Sequence, residues 1–163
     1  GRMEQQYVYR VNGSATAVRS GVLSVEDIQP SIAFSAPPEF YGQPGQWTPE
    51  HLFVAALTGC FISTFSGMAE YSKFECFPLN VEAEGILHKD EGGWRFTQII
   101  LRPRLKIAQN DRDRERGNRL LQKAEKGCLI ARSLACPVAL EPVIEVVEEV
   151  LESEKMGSSI PIS

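Results

Sequence analysis

Two of the four cysteines in this chain lie where a thiol could take part in chemistry. Cys60 lies in the apolar run 52–65, and Cys128 lies in a second run with helical spacing. The block between the two runs has the alternating pattern of β-strands. A cysteine in an apolar helix is ordinarily inert packing, so neither residue is informative alone. If the fold brings the two thiols together, the chain is a thiol redox enzyme.

The composition argues against several other classes of function. The 163 residues suit a single domain, predicted here over 1–163. Seventeen basic and 21 acidic residues give a net charge of −4, with no basic stripe to neutralise a row of phosphates, so no nucleic-acid partner is expected. There is no Cys-x-x-Cys pair, and the only histidines are His51 and His88. A zinc site is therefore not expected, and no cofactor is predicted.

The sequence predicts a cytoplasmic protein that does not cross a membrane. No leader pattern opens the chain, and Gly1-Arg2 before Met3 resembles an expression scar. The apolar run 52–65 contains hydroxyl side chains and falls short of the roughly 20 residues that span a bilayer. In a reducing compartment the four cysteines are expected to be thiols rather than a disulfide framework.

The elements around the two cysteines can be predicted from local patterns. The N-terminal third predicts antiparallel strands with turns at Asn12-Gly13 and Ser20-Gly21, and a loop rich in proline and glycine follows. Thr48 before Pro49 predicts the start of a long central helix that ends at Tyr71 or Ser72. Because this helix is apolar on most sides, it should be buried. The strands are expected over 6–10, 14–19, 21–25 and 31–36.

The second half of the chain predicts a hairpin, a helix and a strand. Segments 79–87 and 95–107 alternate in polarity and are joined by 89–93, which contains Gly92-Gly93. Segment 111–134 predicts an amphipathic helix that contains Cys128, and 137–150 predicts a final strand before a weakly specified tail. Strands, helix, strands, helix and strand in this order indicate an α+β domain.

Two motifs resemble the OsmC/Ohr family, which comprises osmotically inducible protein C and organic hydroperoxide resistance proteins. Thr48-Pro49-Glu50-His51-Leu52-Phe53, followed by Gly59-Cys60-Phe61, resembles the family pattern Asn-Pro-Glu-x-Leu-(Phe/Ile) and Ala-Cys-Phe. Ala124-Glu125-Lys126-Gly127-Cys128 resembles the family segment that carries the resolving cysteine. The resemblance covers nearly the whole chain. It implies an OsmC-like fold in which antiparallel sheets pack around a long central helix, and an intertwined dimer.

The resemblance also implies a site and a reaction. Cys60 would be the peroxidatic thiol and Cys128 the resolving thiol, in a peroxidase that reduces organic hydroperoxides to alcohols. Arg19, in Arg19-Ser20-Gly21, matches the family's Arg-x-Gly, and Arg10 is a weaker candidate. The resulting sulfenate at Cys60 would condense with Cys128, and an external dithiol of the lipoyl type would reduce the disulfide.

The chemistry gives the charged residues their roles. A thiol attacks peroxide as the thiolate, and burial disfavours the thiolate, so Cys60 needs a cation that Arg19 could supply. Glu50 could hold Arg19 through a two-pronged pair, or it could simply complement the helix dipole. Three phenylalanines near Cys60 could form an apolar substrate pocket, or they could be core packing: Phe53, Phe61 and Phe65.

Helical geometry predicts that the site needs two subunits. Ten residues of helix cover about 15 Å with a turn of roughly 80°, so Glu50 cannot easily serve Cys60 of its own helix. An antiparallel pair of central helices across a two-fold axis would place Glu50 of one subunit near Cys60 of the other. An obligate homodimer is therefore expected.

Two other functions fit the same residues. The chain could be a non-catalytic OsmC-like protein that binds a ligand or responds to stress, with residual cysteines. It could also be a thiol-dependent acyl or sulfur transferase, but such an enzyme needs a base beside Cys60. His51 lies nine residues back and about 180° away on the helix, so it does not supply one.

Overall fold

The computed structural model describes residues 4–108 and 111–147. These described residues form two compact units, and the boundary between them falls between Phe53 and Val54, inside the long helix. The single domain predicted over 1–163 stays a prediction. Gly1-Arg2, the last residues of the predicted final strand and the tail lie outside the described residues.

The first unit contains a three-stranded antiparallel sheet, as the sequence predicts. Its strands are β1 (Asn12–Ala17), β2 (Ser20–Val25) and β3 (Ile28–Ser35), in the order β1-β2-β3. A short 3-10 turn, Pro38–Phe40, lies in the loop that follows. Residues 6–10 form no strand, so the strand predicted there is wrong.

The turns of this sheet differ from those expected. Asn12 and Gly13 lie inside β1 and pair with β2, and the hairpin turn falls at Val18-Arg19 instead. Gly21 is needed within the sheet, because a Cβ at this position would lie 2.8 Å from the ring of Phe34 on β3. Gly13 and Gly21 therefore lie in strands, although the local sequence patterns predicted turns at both positions.

The second unit contains a mixed sheet. β4 (Asn80–Asp90) and β5 (Gly93–Ala108) form the predicted hairpin. β6 (Val138–Leu140) and β7 (Val143–Val147) both pair with β5 in parallel. The single final strand expected over 137–150 is therefore wrong for the described residues, because Pro142, which has no N–H to donate to a ladder, falls between β6 and β7.

The long helix α1 (Pro49–Tyr71) confirms the predicted bounds. The hydroxyl of Thr48 accepts a hydrogen bond from the backbone N–H of His51 at 3.0 Å, which satisfies one of the donors left free at a helix start. Only one stripe of α1 is fully buried, and its members repeat every four residues: Leu57, Phe61, Phe65 and Ala69. Small residues on another face are exposed: Ala56, Gly59, Ser63 and Gly67. Burial on most sides is therefore not found in the single chain.

α1 has 23 residues, a length and composition that would also suit a membrane span. Its buried stripe instead belongs to the hydrophobic core of the second unit, together with Ile99 and Leu101 of β5 and Leu121 and Ala124. This stripe therefore packs as part of the core of the second unit.

The second helical region is broken at Cys128, so the continuous helix expected over 111–134 is wrong. α2 (Asp111–Gly127) ends one residue earlier, and α3 (Leu129–Arg132) begins one residue later. Cys128 has an extended backbone, with φ −69 and ψ 116. Gly127 is a poor helix former, and a Cβ there would lie 3.0 Å from Cε of Met68 on α1, so glycine lets the end of α2 approach α1 closely.

Candidate active site

Cys60 lies on α1 beside the buried stripe and is partly exposed. Its neighbour Phe61 points into the core, which fixes the rotation of the helix and so the direction of Cys60. One turn further along, the hydroxyl oxygen of Thr64 lies 3.8 Å from the Cys60 sulfur. The sulfur is therefore held near the surface with a polar neighbour from its own helix.

Cys60 and Cys128 are both free cysteines, and Cys128 is a side-chain hydrogen-bond partner of Cys60. The break between α2 and α3 sets this contact, because Cys128 occupies the position just before α3 and its side chain is fully buried. The structure thus brings together two of the four residues that the sequence nominates.

The surroundings of Cys60 favour its ionised form. Burial acts to raise the pKa of Cys60, but four hydrogen bonds together lower it below its ordinary value, and the first two come from the Cys128 thiol and the backbone N–H of Ile130. The Thr64 hydroxyl and the backbone N–H of Leu129 act in the same direction. Among the described residues of the second unit, the groups that favour the Cys60 thiolate are these neutral donors.

The pKa of Cys128 moves the opposite way. Burial raises it, and the hydrogen bond to Cys60 and the negative charge of the Cys60 thiolate raise it further. When the pKa values of two neighbouring thiols are pushed apart, one of them ionises first: here Cys60 ionises more readily, and Cys128 stays protonated and donates.

Arg19 and Glu50 lie in the first unit and line the same cavity of about 380 Å³. Arg19 is in the turn between β1 and β2 with φ 66, rather than on a strand, and its guanidinium stands 5.7 Å from the centre of the Tyr41 ring. Among the ion pairs of the described residues, none joins Arg19 to Glu50. Arg10 is exposed and lies in a segment without a strand.

The three phenylalanines separate into two groups. Phe61 and Phe65 are fully buried in the core of the second unit, so of the two roles that the sequence left open for them, packing is the one that the structure supports. Phe53 belongs to the first unit and is 37% exposed.

Sequence reasoning missed three contributors to the Cys60 environment. The spacing of four residues between Cys60 and Thr64 could have nominated the hydroxyl. The N–H groups of Leu129 and Ile130 could not have been found, since they reach Cys60 only because the second helix is broken.

The remaining cysteines have no comparable surroundings. Burial raises the pKa of Cys76 to about 11, so this thiol is protonated at neutral pH. Cys136 is buried in the same core.

We expect iodoacetamide to alkylate Cys60 with a pH midpoint below that of a free thiol, about 8.5. Only the thiolate reacts, so a lowered pKa moves the rate curve to lower pH. Replacing Cys128 with alanine removes a donor and should move the curve back to higher pH. Peptide mass spectrometry after timed quenching measures the rate. Cys76 serves as the internal control and should stay unlabelled throughout; a Cys60 midpoint at or above the free-thiol value would contradict this expectation.

A partly exposed, readily ionised thiol against a buried, protonated one is chemically able to cycle between dithiol and disulfide. The family described as OsmC-like protein matches residues 42–142, more than half of the chain. The chain belongs to this OsmC-like family. It is 32% identical over 126 residues to the uncharacterized protein YmaD of Bacillus subtilis (strain 168), covering 76% of this chain and 83% of that relative.

Solved structures share the fold. The OsmC-like protein of unknown function VCA0330 from Vibrio cholerae has a TM-score of 0.73 and 21% identity, covering 85% of this chain and all of that one (100%). An organic hydroperoxide resistance protein OsmC from Legionella pneumophila has a TM-score of 0.68 and 22% identity, and the match covers 86% of this chain and 100% of that one. The α+β, OsmC-like fold predicted from the sequence is confirmed.

Proposed function

We propose that the protein is a cytoplasmic, cysteine-based peroxidase that reduces organic hydroperoxides to alcohols. The observation that carries the proposal is the contact between Cys60, whose pKa is lowered, and the buried thiol of Cys128. The structural relative from Legionella pneumophila is named an organic hydroperoxide resistance protein, which agrees with this chemistry.

The first step oxidises Cys60. Its thiolate attacks one oxygen of the hydroperoxide, an S–O bond forms and the O–O bond breaks. The alkoxide leaves, takes up a proton and becomes the alcohol, and Cys60 becomes a sulfenic acid. A lowered pKa at Cys60 raises the fraction of thiolate that can react at neutral pH.

The second step closes a disulfide. The sulfur of Cys128 attacks the sulfenic sulfur of Cys60, the S–S bond forms, and the hydroxyl leaves as water with the Cys128 proton. Because the two side chains are already in hydrogen-bond contact, closure requires little movement. Rapid closure protects Cys60 from a second oxidation.

The third step returns the protein to its dithiol form. An external dithiol, of the lipoyl type, attacks the disulfide at Cys60, because this residue is partly exposed whereas Cys128 is fully buried. Cys128 leaves as a thiolate and takes up a proton. The second thiol of the reductant then releases Cys60 and forms a disulfide within the reductant.

Arg19 and Glu50 complete the site in an obligate homodimer under this proposal. Arg19 contributes a permanent positive charge for the peroxide and the thiolate, and Glu50 orients it. Glu50 acts across the dimer interface, because it lies ten residues before Cys60 on the same helix and cannot easily serve Cys60 of its own subunit.

The exposed face of α1 supports a dimer. Gly59 and Gly67 lie on this face, and a Cβ built at either would meet no atom within 4 Å among the described residues. Small residues on an apolar helix let another helix approach closely. Large apolar side chains are also exposed, including Tyr71 at the end of α1 at 92%, and Tyr7 at 78% and Val18 at 82% in the first unit.

A bulky residue on this face should separate the subunits. Gly59→Trp has room in the single chain but would fill the space that a second helix needs, so we expect a folded monomer. Sedimentation velocity at micromolar concentration measures the mass, and circular dichroism confirms the fold. Gln122→Trp, at an exposed position on α2, is the matched control and should stay dimeric. A wild-type monomer would contradict the proposed dimer.

The proposal is tested by counting thiols after peroxide. Cumene hydroperoxide added to the reduced protein should consume two thiols per chain, because one disulfide forms. Peptide mapping should find Cys60 joined to Cys128. Unchanged thiols would reject the peroxidase and favour a non-catalytic OsmC-like protein that binds a ligand or responds to stress.

A further inference from the structure

Three hydroxyl side chains on α1 lie near Cys60 in sequence. Two of them donate to backbone carbonyls, and the third faces the sulfur of Cys60. The hydroxyl of Thr58 donates to the carbonyl of Val54 at 2.8 Å, and that of Ser63 donates to the Cys60 carbonyl at 3.1 Å. Bonds to the preceding turn are the usual use of serine and threonine inside helices. The hydroxyl of Thr64 instead faces the sulfur of Cys60 at 3.8 Å.

The position of Thr64 explains this direction. It lies one turn after Cys60, so the two side chains share a face of α1. Its Cγ2 lies 3.9 Å from where a Cβ of Gly127 would be, so its methyl group is directed toward the end of α2. A β-branched side chain has few rotamers, and in this one the methyl group faces the end of α2 while the hydroxyl faces the sulfur of Cys60.

We propose that Thr64 is a positioning residue that donates a hydrogen bond to the Cys60 thiolate and keeps the sulfur directed toward Cys128. This inference rests on the proposed function, in which Cys60 is the nucleophile. Within the second unit, Cys128 is the titratable group in contact with Cys60, and Thr64 is the neutral donor from the same helix as Cys60.

The contact has two chemical consequences. A donor to the sulfur favours the thiolate over the thiol, so it raises the fraction of Cys60 that can attack. A sulfur held in one direction also forms the disulfide faster, since Cys128 does not have to wait for rotation about the Cys60 side chain. Neither consequence requires Thr64 to exchange a proton.

Three variants separate the hydroxyl from the packing. Thr64→Val keeps the branched shape and removes the hydroxyl, whereas Thr64→Ser keeps the hydroxyl and removes the methyl group. Thr58→Val removes a hydroxyl from the same helix whose partner is a carbonyl rather than the sulfur. Thr64→Ala replaces Thr64→Val if that variant does not fold, as judged by its melting temperature.

The measurement is the pH profile of Cys60 alkylation by iodoacetamide, followed on the Cys60 peptide. We expect Thr64→Val to react about three- to tenfold more slowly than wild type at neutral pH, the effect of one lost hydrogen bond, with the profile moved to higher pH. Thr64→Ser and Thr58→Val should remain close to wild type. Disulfide closure after cumene hydroperoxide should slow in Thr64→Val as well.

Each other outcome overturns the proposal. An unchanged profile in Thr64→Val shows that the hydroxyl does not act on the sulfur. Equal slowing in Thr64→Ser assigns the effect to packing, and equal slowing in Thr58→Val assigns it to the helix as a whole. Alkylation needs no peroxide, so it tests Thr64 even if the wild type fails to reduce cumene hydroperoxide, which would reject the proposed function separately.

Discussion

Replacing Cys60 with serine is expected to abolish the loss of thiols after cumene hydroperoxide. The hydroxyl of serine is a far weaker nucleophile than a thiolate, and Cys128, which is buried and whose pKa is raised, cannot take over the attack. Reduction of the hydroperoxide with an added dithiol should fall to the rate without protein. Coupled consumption of the hydroperoxide and titration of free thiols measure the two effects.

Cys76→Ser is the matched control for this experiment. Cys76 is a cysteine in the same unit, but burial raises its pKa to about 11, so its removal should leave peroxide reduction unchanged. Peroxide-dependent loss of thiols that persists in Cys60→Ser would show that another sulfur is the first to be oxidised.

Replacing Cys128 with serine is expected to stop catalytic turnover at the sulfenic acid of Cys60, which forms with the first equivalent of hydroperoxide. Serine retains a hydroxyl that can donate to Cys60, so the first oxidation should survive, but no disulfide can form. The sulfenic acid at Cys60 should then accumulate and be trapped by dimedone, and excess hydroperoxide should convert it to sulfinic acid. Intact-protein mass spectrometry distinguishes the dimedone adduct from the sulfinic acid.

Cys136→Ser tests whether the second thiol is specific. Cys136 is buried in the same core but is not among the groups that bond to Cys60, so this variant should still form the disulfide at the wild-type rate. A disulfide between Cys60 and Cys136 in the Cys128→Ser protein would show that Cys128 is not the only possible resolving thiol.

The elements that were predicted correctly are those whose signals are local. Thr48 and Pro49 start α1 through a hydrogen bond and a fixed backbone angle that involve only neighbouring residues. The hairpin of β4 and β5 follows from alternating polarity on both sides of Gly92-Gly93. Both predictions needed no knowledge of the rest of the chain.

The elements that were missed depend on distant contacts. Asn12-Gly13 has the strongest hairpin signal in the N-terminal third, yet pairing with β2 holds it in a strand. Helical spacing continues through Cys128, but the chain breaks there, where Gly127 approaches Met68 of α1. A local pattern cannot include a partner that lies far away in sequence.

In the candidate site, too, the residues with a local sequence signal were predicted, and the groups that depend on distant contacts were missed. Cys60 and Cys128 were nominated from sequence, and the structure brings them into contact within the second unit. The backbone donors from α3 were missed because they exist only after the second helix is broken. The roles of Arg19 and Glu50, which line a cavity of the first unit, stay predictions.

The burial of the other sulfurs has a consequence for damage as well as for catalysis. A peroxide reacts with any thiolate that it can reach. A protein with four equally ionised and equally accessible thiols would therefore be oxidised at random among them. Here Cys76 is held in the protonated form by its surroundings, and Cys136 is shielded in the core. Under the proposed function, oxidation is therefore directed to Cys60, and the neighbouring Cys128 converts the sulfenic acid into a disulfide that an external dithiol can reduce. The packing that stabilises the second unit would thus also protect Cys76 and Cys136 from oxidation.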